Sequence, residues 1–302
     1  MGERPRRSGK PNHFRIELPR GAFRQRTKPS PLPEPKLGES ELVTRMRRFE
    51  LFRRVPTDEM LAMAQTSNVR VFRAGEYLWR HNQKATHAAF LDSGFVKLAR
   101  PAQEGIPATY ALFGPGDSIG ILAIWAGMRY PTDAVALNDG LTVIYVDTRT
   151  IQHLSEKSLQ LAAAIRDELT QFTAAFITKI EIISAGGVPE RLAALMLYLI
   201  ERYGVDKHGV CSRVPFSITR DELGKVVGAR LETVVRVLGH WKRAGWLDTR
   251  ADGYHVLRMD KLAATATARW RTPIAGSDGI RAGSLAGEDV TGAVLALSGV
   301  RT

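Results

Sequence analysis

A single cysteine, Cys211, in a chain of 302 residues excludes a good deal. No internal disulfide can form, and neither a Cys-ligated zinc nor an iron–sulfur cluster can be held within one chain. That cysteine usage suits a reducing compartment, so a cytoplasmic location is expected. No run of about 18 or more apolar residues exists, and neither a transmembrane helix nor a membrane partner is expected. The N-terminus is basic but has no apolar stretch of the kind a signal peptide needs. Catalytic signatures are missing too. There is no Ser/His/Asp set, no metal-ligand spacing, no GxxxxGKS/T and no GxGxxG after a strand, so an enzyme is not expected. Acidic residues are in deficit: 31 Asp and Glu stand against 43 Lys and Arg, giving a net charge of +12 and a pI near 10.1. The imbalance favours a polyanionic partner, nucleic acid ahead of membrane, although solubilising charge explains composition equally well.

What is present changes character along the chain. Residues 1–40 hold seven prolines and ten Lys/Arg against four Glu, without apolar periodicity. They read as a disordered basic arm, which either adds phosphate contacts or keeps the chain soluble. In residues 41–148 an amphipathic helical pattern (41–52, then 56–64) leads into strand signals at 69–72, 88–91, 95–99, 109–113 and 141–146, separated by glycine turns. Short strands at regular spacing predict an antiparallel barrel or roll. From about 148 to 184 the pattern becomes one long helix. Leu154, Leu161, Ile165, Phe172, Phe176, Ile180 and Ile183 recur at spacings of three, four or seven. Such a seam predicts a homodimer through residues 149–185. Packing onto its own domain, or mere linkage, are the other readings. Gly186-Gly187 breaks the helix as a hinge.

Residues 188–258 read as a second domain. An apolar helix (189–203, with Leu192, Leu195, Met196 and Leu199) is followed by two short strands flanking Cys211. Residues 218–246, ITRDELGKVVGARLETVVRVLGHWKRAGW, then form two short helices and a turn. Thr219 and Glu222 make a capping box. Leu223, Val226 and Val227 form an apolar face, and Gly228 supplies the turn. A second helix from about 230 to 244 aligns Leu231, Val234, Val237, Leu238 and Trp241 at helical spacing. Its other face carries Arg230, Glu232, Thr233 and Arg236. This is the layout of a helix-turn-helix, whose second helix enters the DNA major groove. A hairpin through Asp252-Gly253 (246–248 and 254–257) reads as a wing. Residues 259–302, rich in Ala, Gly and Thr, read as a poorly ordered tail.

At the DNA, Glu232 and Arg236 lie one turn apart on one helix face. A carboxylate accepts from cytosine N4, and an arginine binds guanine O6 and N7 bidentately. Glu232, Thr233, Val235 and Arg236 are therefore the candidate base readers. Thr219, Arg220 and Arg230, at helix starts, are candidate phosphate contacts. An ordinary exposed Glu–Arg pair is the plainer alternative.

A glycine-punctuated β-roll, a long helix and a winged helix, in that order, resemble the Crp/Fnr family of bacterial transcription regulators. The resemblance covers roughly residues 42–258. It is strongest at 218–248, where Glu232-Thr233-Val234 and Arg236 fall on the family's E-T-V-x-R core. It also includes 113–137, FGPGDSIGILAIWAGMRYPTDAVAL, which is similar to the family's effector cassette. The implied fold is α+β: an N-terminal double-stranded β-helix (a jelly-roll of the cyclic-nucleotide-binding kind), a long dimerisation helix and a C-terminal winged helix-turn-helix. The implied partners are double-stranded DNA, a second copy of the chain and RNA polymerase, with activation the more frequent role. Leu231 stands where the Crp branch has an arginine and the Fnr-like branch an apolar residue, so the implied site is an inverted repeat of TTGA-type half-sites. Val235 replaces the serine frequent in the Fnr branch, which leaves the outer base open.

The same resemblance makes Gly116, Asp117, Gly120, Ile121, Thr132 and Asp133 the candidate effector cassette. Cyclic-nucleotide-binding members carry Gly-Glu-Leu and Arg-Ser there. This chain has Gly120-Ile121-Leu122 and Thr132-Asp133-Ala134, so tight cAMP or cGMP binding is not expected. An iron–sulfur cluster is not expected either, for want of cysteines, and no cofactor is predicted. Haem would need an axial ligand, and His81, His87, Met128 and Cys211 are available without a spacing that singles one out. Cys211 is also a redox candidate beside the DNA-binding helices. A ligand-sensing signalling module or a haem-based gas sensor on the same fold is the alternative function.

Overall fold

A computed structural model describes residues 37–100, 108–207, 211–215 and 218–266. The expectations for the arm up to residue 36 and for the tail beyond 266 lie outside those residues. Two helices, α1 (Glu39–Met46) and α2 (Thr57–Gln65), with a 3-10 turn (Glu50–Phe52) between them, precede eight strands. These are β1 (Asn68–Phe72), β2 (Tyr77–Trp79), β3 (His87–Ser93), β4 (Val96–Arg100), β5 (Ala108–Phe113), β6 (Ser118–Ile119), β7 (Asp133–Ala136) and β8 (Leu141–Asp147). A short helix α3 (Ile121–Trp125) lies between β6 and β7. The strands form two antiparallel sheets, ordered β1-β8-β3-β6 and β2-β7-β4-β5, the expected roll.

The first sheet is apolar on both faces, and strand periodicity shows where each face goes. Leu91, Val143 and Tyr145 point into the roll, where they meet Trp79, Phe113 and Ile119. Their neighbours Phe90, Ile144 and Val146 point outward onto the helices. Phe49 and Phe52 close over Phe90, with ring centroids 5.3 and 4.6 Å away. This double burial is why β8 reads as a continuous apolar run and not as an alternating one.

The long helix departs from expectation. It is two helices, α4 (Thr148–Ser155) and α5 (Leu159–Ile183), because Ser158 caps a new start by accepting from the Leu161 N–H at 3.1 Å. The seam also divides. Leu161 and Ile165 are buried against the chain's own roll, and Phe172 stacks on Phe113 at 5.8 Å. Farther along, Ile177, Ile180 and Ile183 stay exposed, Ile180 at 59%.

The winged-helix part comprises α6 (Val188–Tyr203), β9 (Val205–Lys207), β10 (Cys211–Val214), α7 (Arg220–Val227), α8 (Leu231–Arg243), β11 (Leu247–Arg250) and β12 (Gly253–Val256). The two short strands expected about Cys211 form as β9 and β10, but Cys211 is the first residue of β10 and does not lie between them; its side chain lies outside the described residues. The span expected to be a poorly ordered tail begins instead with a helix, α9 (Met259–Thr265), whose Leu262 is buried in the winged-helix core. No helix among the described residues is long and apolar enough to cross a membrane.

Candidate nucleic-acid interface

Helix α7 starts at Thr219, whose hydroxyl accepts from the Glu222 N–H at 3.1 Å. The reciprocal half of the capping box does not form. The Glu222 carboxylate turns instead to Lys97 of β4, 2.5 Å away. The helix ends at Gly228, in the left-handed region at φ 64°, where a side chain would be strained. Two cations serve its negative end. Lys179 of α5 donates to the Val226 carbonyl, and Arg191 of α6 donates to the Val227 carbonyl at 3.1 Å. Burial brings the Lys179 ammonium down to about 8.

Helix α8 buries Val234, Val237, Leu238 and Trp241. The apolar stripe does not include Leu231, which is 43% exposed. Its position in the first turn lifts it off the core and onto the outer surface. Glu232, Val235 and Arg236 share that exposure, and Thr233 is half-buried. Among the described residues neither Glu232 nor Arg236 has an ion-pair partner, so both charges are uncommitted. Thr219, Arg220 and Arg230 are exposed at the two helix starts. The wing joins β11 to β12, and its turn is held by Arg213 and His255 on Asp252, each at 2.8 Å. The hydrogen bond from His255, with a second from Arg213, pulls the Asp252 carboxyl down to about 2.

The cassette residues are placed quite differently. Gly120 caps α3, and Ile121 is buried under it. Thr132 and Asp133 are buried at the start of β7, and the Asp133 carboxylate accepts from the His81 N–H at 2.6 Å. Trp79 and Tyr130, stacked at 4.1 Å, fill the roll beside Gly120. Between the 118–122 segment and Glu168, Leu169 and Phe172 of α5, only about 10 Å³ remains. Ser118 closes that side by donating to Glu168 at 2.5 Å, and burial raises the Glu168 carboxyl above its ordinary range. Asp117, next to Gly116, faces away from this space and engages α6. Of the haem-ligand candidates, His81 meets Arg100 at 3.3 Å, His87 meets Thr86 at 2.9 Å, and Met128 is exposed. Lys97, Glu168, Lys179, Arg191 and Trp79 escaped sequence reasoning; each acts through a partner far away in the chain.

Residues 190–265 match the Crp-like helix-turn-helix domain, and residues 69–158 match the cyclic nucleotide-binding domain. The chain belongs to the Crp/Fnr family of transcription regulators. It is thus a DNA-binding regulator, in a family whose members are not enzymes. This Crp/Fnr regulator is 25% identical over 232 residues to the CRP-like cAMP-activated global transcriptional regulator of Mycobacterium tuberculosis, covering 74% of the chain and 98% of that protein. It is 26% identical over 197 residues to the fumarate and nitrate reduction regulatory protein of Escherichia coli, covering 65% and 74%. In fold it is similar to FixK2 from Bradyrhizobium japonicum, with a TM-score of 0.59 at 20% identity over 67% of this chain and 98% of that one.

Proposed function

We propose that this regulator works as a homodimer that reads an inverted repeat of TTGA-type half-sites, activates transcription through RNA polymerase, and does so without a cyclic nucleotide. The observation that carries the reading is the outer face of α8. Glu232 and Arg236 stand there exposed and, among the described residues, unpaired, on a helix fixed from behind by Trp241. The helix can therefore be held rigid while its reading groups stay free for bases, as direct readout needs. Leu231 and Val235 sit on the same surface; Leu231 favours the Fnr-like half-site, while Val235 leaves its outer base open. Both are apolar, at 43% and 39% exposure, and neither can replace the further base-reading arginine of the Crp branch. Thr219, Arg220 and Arg230, exposed at the two helix starts, would meet the flanking phosphates.

Ile177, Ile180 and Ile183 support the dimer. They are three apolar side chains at a spacing of three, left exposed on α5. The crowded cassette supports independence from cyclic nucleotides. A space of about 10 Å³ holds roughly one water, whereas ligand pockets run to about 300–1,000 Å³. A gel shift at fixed salt tests the half-site. The TTGA palindrome is expected to bind more tightly than a TGTGA palindrome, and the reverse order would refute the assignment.

A further inference from the structure

Asp117 belongs to the stretch resembling the effector cassette, yet its carboxylate points out of the roll. It accepts from the Gly114 N–H at 2.7 Å, from Arg202 at 2.5 Å and from the Tyr203 hydroxyl at 2.5 Å. Arg202 and Tyr203 form the last turn of α6 and belong to the winged-helix part. A second ion pair crosses the same boundary: Lys97 of β4 meets Glu222, in the first turn of α7, at 2.5 Å. Apolar contact fills the space between them. Phe95 and Leu112 of the roll pack into the winged-helix core, and the Phe95 and Tyr203 rings meet edge to face at 5.4 Å. Gly114 permits this close approach, since a Cβ there would lie 2.5 Å from the Phe95 ring and 2.8 Å from the Tyr203 ring.

The two kinds of contact do different jobs. Apolar burial is non-directional and would hold the two parts together in several orientations. Paired, hydrogen-bonded charges shielded from water allow few, because a shift strands a charge without its partner. Three of the four charges are well shielded: Asp117 is 9% exposed at its side chain and Lys97 and Glu222 are 16% and 15% exposed, while Arg202 is 31% exposed. The docking groups, Arg202, Tyr203 and Glu222, come from α6 and the start of α7. The reading groups on α8 remain uncovered.

We propose that Asp117 and Lys97 are positioning residues for DNA reading: they clamp α6 and α7 to the roll and so set the direction in which each α8 meets its half-site. The inference rests on the dimeric reading given above. Two recognition helices must reach major grooves about 34–36 Å apart at the same time. A winged helix that swivels on its apolar contact still fits one half-site, but two such units seldom fit both at once.

The test measures wild-type protein, Asp117→Asn, Lys97→Met and Arg236→Ala by fluorescence anisotropy at one salt concentration. Each is titrated with a duplex carrying the palindrome and with one carrying a single half-site. The two clamp variants are expected to lose palindrome affinity by roughly 5- to 150-fold, the usual range of a coupling between sites, and to keep half-site affinity within about twofold of wild type. Arg236→Ala is expected to lose both. Hydrogen exchange on the free proteins should show faster exchange in the last turn of α6 and the first turn of α7 of the clamp variants, with α8 unchanged. Palindrome affinity unaltered in both clamp variants, or half-site affinity lost as steeply as palindrome affinity, would overturn the proposal. If the wild type itself ignores the palindrome while the exchange change appears, the dimeric DNA reading fails and the clamp stands as a docking contact only.

Discussion

The outer face of α8 and the cassette of the roll carry similar residue types and treat them in opposite ways. On α8, Glu232 and Arg236 are exposed and have no ion-pair partner among the described residues. In the cassette, Asp117 and Asp133 are buried and bonded to groups of the chain itself. An exposed charge keeps its affinity for an outside partner. A buried charge has already committed its hydrogen bonds, since leaving them unmade inside a protein is costly. The difference supports the proposed reading, in which the chain would meet DNA through groups held in reserve and the cassette, its charges already bonded within the chain, would take no cyclic nucleotide.

The contrast can be broken from the closed side first. Trp79 is buried and stacked on Tyr130 beside Gly120. Trp79→Ala would open the roll there and is expected to cost about 3–5 kcal/mol of stability, read by urea unfolding. A loss below about 1 kcal/mol would mean that the cassette is not packed as described. Truncation on the open side should do the reverse. Glu232→Ala or Arg236→Ala is expected to cost about 1–3 kcal/mol of DNA affinity per half-site while leaving stability within about 0.5 kcal/mol. Equal losses of stability and binding would make these two residues structural.

The smallest effect sharpens the boundary between the two regions. Lys179 joins α5 to the end of α7, and burial brings its ammonium down to about 8. In the unfolded chain it titrates near 10.4. Between about pH 8 and pH 10 the unfolded state therefore binds more protons, and stability contributed by this group rises with pH. Lys179→Met should flatten that rise in unfolding measured at several pH values. An unchanged slope would place Lys179 in water.

Much of this was legible in sequence because it is local. Thr219, Gly228 and the period of Val234, Val237, Leu238 and Trp241 announce the helix-turn-helix without help from the rest of the chain. The longer strands β1, β3, β4, β5 and β8 were readable between their turns. The three residues of β2 and the two of β6 are too short to show a period. Leu231 was misread because a helical wheel cannot tell whether the first residue of a helix has reached the core. The break at Ser158 had a local signal, a serine before an apolar run, which the stronger seven-residue repeat masked. The Asp117–Arg202 pair had no signal. Its members are 85 residues apart, and neither sits in a pattern that requires the other.

The comparison between the open and closed regions is tested most directly by one titration. Affinity for the TTGA palindrome is measured at fixed salt, with and without saturating cAMP. The account predicts sequence-specific binding of the same strength in both, within about twofold. Binding that appears only with the nucleotide, or tightens by roughly tenfold or more (about 1.4 kcal/mol), would contradict it.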